Sequence, residues 1–147
     1  MFFLKIFVLL LVSGGMSFAE VARPSNLKVT EAEAGTPAEC AAFFHEAGWE
    51  GLWDNQRPHE LWIENIRKDC TAQVVYAFGA RPGKNDSPSY FRITNAEIKG
   101  STMSFSLPSK TAKISVTYTL SNETLSGTWQ SDQSTYPPST VSLAKRK

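Results

Sequence analysis

The second half of the chain alternates. Met103, Phe105 and Leu107 are spaced by Ser104 and Ser106, and Ile114, Val116, Tyr118 and Leu120 by Ser115, Thr117 and Thr119. A period of two places the apolar side chains on one face of a strand and the polar ones on the other, the signature of half-buried antiparallel sheet. Ala72, Val74, Tyr76 and Phe78 form a third such set, Leu125, Gly127 and Trp129 a fourth, and Val141 with Leu143 a last. Two runs change phase. Ile66 is out of step with Leu61 and Ile63, and Ala96 and Ile98 are out of step with Phe91 and Ile93. One extra residue near Asn65 and near Asn95 restores the apolar face in each, and such bulges bend a sheet.

These runs predict strands over 49–54, 60–68, 72–79, 90–98, 102–107, 113–120, 124–131 and 140–144, with short breaks rich in Asn, Asp, Gly, Pro and Ser between them. Short connections pair each strand with its successor. A meander of this length with one apolar face removes its exposed edges by closing on itself. The expected fold is therefore all-β, an eight-stranded antiparallel up-and-down β-barrel. Ahead of it, residues 20–37 are polar and interrupted by Pro24 and Pro37, which reads as an extended leader, and AECAAFFHEAG (residues 38–48) has room for one helical turn or for the run-in to the first strand.

The start of the chain, MFFLKIFVLLLVSGGMSFA, has one charge at Lys5, an apolar run and a Ser17-Phe18-Ala19 cleavage pattern, which reads as a secretory signal over 1–19 removed after Ala19. The run is shorter than the roughly 20 residues a spanning helix needs, so no membrane insertion is expected after cleavage. One domain over 38–147 follows the extended segment. Of 15 basic and 14 acidic residues, Lys5 leaves with the signal, so the remainder is formally neutral. A neutral chain offers no electrostatic footprint for nucleic acid. Export, to the periplasm or the medium, places the two cysteines, Cys40 and Cys70, where disulfides persist, and they are expected to pair as a staple.

Two tryptophans stand beside two glycines in GWEGLWDN (residues 48–55), and Gly127-Thr128-Trp129 repeats the Gly-x-Trp spacing. A barrel that opens with Gly-x-Trp resembles the calycins, the group of lipocalins and avidins, and GLWDNQ at 51–56 is similar to the start of an avidin barrel. The resemblance implies a calycin-like closed barrel in which Trp53 plugs one end, with a basic residue from the last strand, here Arg146, as the matching stacking partner. The polar positions of the avidin site have no residue-by-residue match, so no named ligand is implied.

Catalytic and cofactor motifs do not occur: there is no Gly-x-Ser-x-Gly elbow, His-Glu-x-x-His or phosphate loop. His45, His59 and Glu60 are the residues a zinc site or a small enzyme would draw on, and no metal or cofactor is expected. Parity points Tyr76, Tyr118 and Trp129 inward with Trp53, as candidate ligand contacts or as rings that fill the barrel. Arg92 is the candidate counter-charge for an anion, or a solvated strand residue. Trp62 alternates against Leu61 and Ile63 and is a candidate outward recognition residue, with Arg81 and Lys84 on the long 80–89 loop, which shares a barrel end with 132–139. The expected function is an exported, non-catalytic binding protein for a small molecule or a protein partner. The alternative is a protease inhibitor, since small periplasmic metalloprotease inhibitors resemble this plan and use an N-terminal arm, here 20–37. Oligomeric state is not legible in the chain.

Overall fold

The alternating runs pair edge to edge in the order in which they occur. In a computed structural model, which describes residues 21–147 except 134 and 136, the strands are β1 (Trp49–Trp53), β2 (Arg57–Ile66), β3 (Thr71–Phe78), β4 (Ser89–Lys99), β5 (Thr102–Leu107), β6 (Ile114–Ser121), β7 (Thr124–Ser131) and β8 (Ser139–Lys145). Each is antiparallel to the next, and β1 pairs with β8 to close the barrel. The expected signal, 1–19, lies outside the described residues.

Both expected bulges are present. The register of β2 on β3 slips at Glu64, between Ile63 and Asn65. On β4, Thr94 and Asn95 together oppose Gln73, because Ala72 pairs with Ala96 and Val74 with Ile93. Each extra residue returns the next apolar side chain, Ile66 or Ala96, to the inside, where both are fully buried. The first hairpin differs from the expected one. The turn shrinks to 54–56, with Asp54 and Asn55 at φ 48° and 59°, so the strand starts at Arg57 and takes in Pro58 and His59.

One end is sealed. Helix α1 (Ala38–Ala41) carries Cys40, which is disulfide-bonded to Cys70 in the β2–β3 turn with Cα atoms 5.7 Å apart. Phe43 follows it into the core, and its carbonyl accepts the Trp49 indole N–H at 3.1 Å. At this end Gly48 adopts φ +75°, and a Cβ there would meet the Trp62 ring at 2.8 Å, so both backbone and neighbour demand glycine. At Gly51 a Cβ would lie 2.3 Å from the Ser142 carbonyl oxygen, which marks how closely β1 and β8 approach at the seam.

Residues 21–33 form a second layer outside the barrel rather than a free leader. Thr30 and Glu33 donate backbone hydrogen bonds to the carbonyls of Glu64 and Ile66, both at 2.9 Å. Val21, Leu27 and Val29 cover the outer face of β2 and β3 at Trp62, Val75 and Ala77. Two carboxylates fasten the layer: Glu60 accepts from Arg23, and Glu64 accepts from Lys28 N (3.1 Å), Arg92 (2.8 Å) and Gln73 (3.1 Å). Burial alone would raise both carboxyl pKa values, but these hydrogen bonds and arginine charges outweigh it and hold both below 4.5.

Two outcomes follow. Replacing both cysteines by serine is expected to cost about 3–4 kcal/mol through the loop of sequence separation 30, read from the urea midpoint at constant slope. The lowered pKa values of Glu60 and Glu64 mean that their pairs stabilise the outer layer above the unfolded carboxyl pKa and lose that effect as pH falls through the folded one. Protection factors of the amides at Lys28, Thr30 and Glu33, taken against the intrinsic exchange rate at each pH, should therefore fall in Glu64→Ala at neutral pH and in wild type under acid, while barrel amides keep their protection.

Candidate binding site at the open end of the barrel

Inward parity gathers most of the rings into one half of the barrel. Trp53, His59, Tyr76, Phe105 and Tyr118 form a continuous aromatic cluster, with centroid separations of 4.5 Å for His59–Tyr76, 5.2 Å for Trp53–His59 and 6.0 Å for Phe105–Tyr118. Tyr118 has room because its ladder partner is Gly127, where a Cβ would stand 2.7 Å from the Tyr118 ring. The second Gly-x-Trp is thus a place for a neighbouring ring to lie.

The floor of this half is a closed polar pair. His59 Nδ1 lies 2.8 Å from the Ala77 carbonyl and Nε2 lies 2.6 Å from the Tyr118 hydroxyl. A carbonyl only accepts, so Nδ1 carries the proton, and Nε2 accepts from Tyr118. Burial drives the imidazole pKa down to about 4, against smaller opposing effects of the Ala77 hydrogen bond and the Glu60 charge, and burial raises the Tyr118 hydroxyl. Both rings are neutral at physiological pH, and both imidazole nitrogens are committed.

Above the floor the barrel opens. A cavity of about 320 Å³ is lined by Trp53, Asp54, Gln56, Arg57, Tyr76, Arg81, Trp129 and Ser139. A second of about 180 Å³ shares Arg57, Tyr76 and Trp129 with it and adds Phe78, Phe91, Leu107, Pro108 and Ile114. Its origin lies in the ladder. The pairing of β4 with β5 runs only from Lys99↔Thr102 to Glu97↔Ser104, and the bulge at Thr94–Asn95 follows, so Phe91 and Leu107 are not paired across the strands. The ends of β3 at Phe78 and of β7 at Ser131, from which the loops on either side of the mouth depart, stand at this end together, as the strand directions require.

Arg57 organises the mouth. Its Nε donates to the Gly79 carbonyl at 3.0 Å and its guanidinium carbon lies over the Phe78 ring, 4.4 Å from the centroid, so the fork is held against an aromatic face. Among the described residues no carboxylate lies within ion-pair distance of it, whereas Arg81 is paired with Asp86 at 2.7 Å. Tyr76 is buried, which raises its hydroxyl pKa; the Arg57 charge and the Trp53 indole N–H act in the opposite direction. That indole N–H is itself buried and falls short of hydrogen-bond geometry with any partner.

The expected site residues separate accordingly. Trp53, Tyr76, Trp129 and Arg81 meet at the open end, while Tyr118 belongs to the floor, fully buried and bonded to His59. Arg92 points out of the barrel to Glu64 and Asn26, so it faces no interior ligand. Trp62 faces outward as its parity requires but is 8% exposed, covered by the N-terminal layer with Arg23 and Arg146 over its ring at 5.4 and 5.0 Å. Arg146 therefore stacks on Trp62 and not on Trp53. The indole at the sealed end is Trp49, with Lys145 5.9 Å from its centroid. Lys84 is exposed on the 79–88 loop. His45, His59 and Glu60 do not converge: His45 bonds the Arg146 carbonyl at 2.8 Å, His59 points inward and Glu60 outward. Arg57 escaped sequence reasoning because Pro58-His59 read as a turn; its signal was parity with the inward His59, two residues on.

Comparison of the chain with protein-family models, curated proteins and solved structures finds no match in any of the three.

Unfolding frees His59 to titrate near 6.5, whereas in the folded barrel it titrates near 4. Between those values the unfolded chain binds more protons, so stability rises with pH across the window and is lost as pH falls through it, by about 3 kcal/mol. Urea unfolding followed from pH 7 to pH 4 should show this slope, and His59→Gln should flatten it.

Proposed function

We propose that this is an exported, non-catalytic binding protein that takes a small molecule into the open end of its barrel, a calycin-like use of the fold. The observation that carries the reading is the contrast along the barrel axis. The sealed half is filled by side chains and its polar groups are paired, while the opposite end keeps cavities of about 320 and 180 Å³ around Arg57, Tyr76 and Trp129. The larger is at the lower end of the roughly 300–1,000 Å³ of small-molecule sites and brings polar groups together beside Trp53, Tyr76 and Trp129, while the smaller supplies the apolar wall of Phe78, Phe91, Leu107, Pro108 and Ile114.

The signal-like segment 1–19 and the Cys40–Cys70 bridge support the reading of export. The non-catalytic reading is supported by the chemistry at the floor, where the one inward imidazole has no free nitrogen with which to take a proton. The inhibitor alternative needs an arm free to enter a protease cleft, and residues 21–33 are instead held against β2 and β3.

A titration of the protein with a panel of small aromatic and aliphatic compounds, followed by intrinsic fluorescence, tests the proposal. Saturable quenching by at least one class is expected, because Trp53 and Trp129 both line the mouth, and Trp129→Ala should weaken it. Responses that never saturate, or that are unchanged in Trp129→Ala, would remove the open end as the binding site.

A further inference from the structure

Three side chains at the mouth, Arg57, Tyr76 and Trp53, carry donors that find no acceptor among the described residues. Arg57 uses only Nε within the protein, on the Gly79 carbonyl. Its two terminal nitrogens have no partner among the described residues. Among the described residues the Tyr76 hydroxyl has no acceptor, and the Trp53 N–H, in a residue only 5% exposed, is an orphan donor. The two carboxylates nearby are engaged elsewhere: one oxygen of Asp54 accepts the Thr140 amide at 3.0 Å, and Asp86 takes both ends of the Arg81 guanidinium. A buried donor without an acceptor is costly, and a guanidinium fork with free terminal nitrogens matches the two oxygens of a carboxylate.

Resting on the open-end reading above, we propose that the ligand is a small organic anion with a flat apolar body. Its carboxylate, or a sulfonate of the same shape, sits on the terminal nitrogens of Arg57 and accepts from the Tyr76 hydroxyl. Tyr76 in turn accepts from Trp53, so that the orphan donor is satisfied through it and the interaction already present between these side chains tightens into a hydrogen bond. The ring of the ligand lies in the adjoining cavity beside Trp129, Phe91 and Leu107, where β4 and β5 diverge. Phe78 is already covered by Arg57 and serves as the support beneath the fork.

Three probes of one shape separate charge from shape: 2-naphthoate, the neutral 2-naphthamide and the cationic 2-naphthylmethylammonium. Calorimetric titration of the full-length mature protein should find naphthoate binding with an affinity that falls with added salt, and about tenfold or more ahead of the amide. Arg57→Gln should remove that preference, Arg57→Lys should restore only part of it, and Tyr76→Phe should weaken naphthoate several-fold while leaving the amide unchanged. The Trp53 indole N–H resonance should move downfield on adding naphthoate. Equal binding of naphthoate and naphthamide, or a preference that survives in Arg57→Gln, overturns the anion assignment and leaves the open end as a binding site. Absence of binding by all three probes overturns the assignment as well, and the open-end reading itself then stands or falls on the broader fluorescence panel.

Discussion

Closure of the sheet at the β1–β8 seam is the constraint from which the rest follows. The ladder there is short, with Trp49 opposite Lys145 and Glu50 opposite Ala144. It is extended at both ends by backbone hydrogen bonds, from Arg146 N to the Gly48 carbonyl and from Asp54 N to the Thr140 carbonyl, each 2.9 Å. Gly51 lets the strands approach in between. Once the last strand meets the first, every residue of one parity is inside and the edges are gone, so the interior becomes a single apolar volume whose filling decides what space is left.

That volume is filled unequally. The disulfide, α1, Phe43 and Trp49 occupy the sealed end, and Ile66, Ala72 and Leu143 pack beneath them. Toward the middle the residues become aromatic, and the polar tips of His59 and Tyr118 satisfy each other and the Ala77 carbonyl. A buried polar pair of this kind is stable because neither group is ionised and each has a partner of the right sense. Nearer the open end the pairing stops. Tyr76, Trp53 and the terminal nitrogens of Arg57 carry donors that meet no acceptor among the described residues, and the divergence of β4 from β5 leaves room beside them.

The outer face of β2 and β3 obeys a different logic. Both strands are buried on their two sides, because residues 21–33 lie over Trp62, Val75 and Ala77. Charges are tolerated there only as a network: Glu60 and Glu64 are almost inaccessible, and each is matched by arginine, from Arg23 and Arg146 on one carboxylate and from Arg92 on the other. Such pairs define the position of the layer more than they add to stability, since the desolvation of each ion offsets much of the attraction. The weakly polar opposite face of β3, at Val75 and Ala77, has its reason in this layer.

The chain by itself determined the strands, the two bulges, the cysteine pair and the closed barrel, because each rests on local spacing: period two for the faces, a phase slip for a bulge, short polar breaks for successive pairing. It also placed Trp53, Tyr76 and Trp129 inside, since parity within a strand is local. What only the tertiary structure decided concerns partners that spacing cannot reach. Trp62 is on the outward face in both readings, yet it is covered by a segment more than thirty residues earlier, and Arg92 meets Glu64 across an intervening strand. Arg57 was hidden by a turn whose length depended on two residues in left-handed conformation. Which rings fill the barrel and which border a cavity depends on where the β4–β5 ladder ends, a property of the closed sheet as a whole.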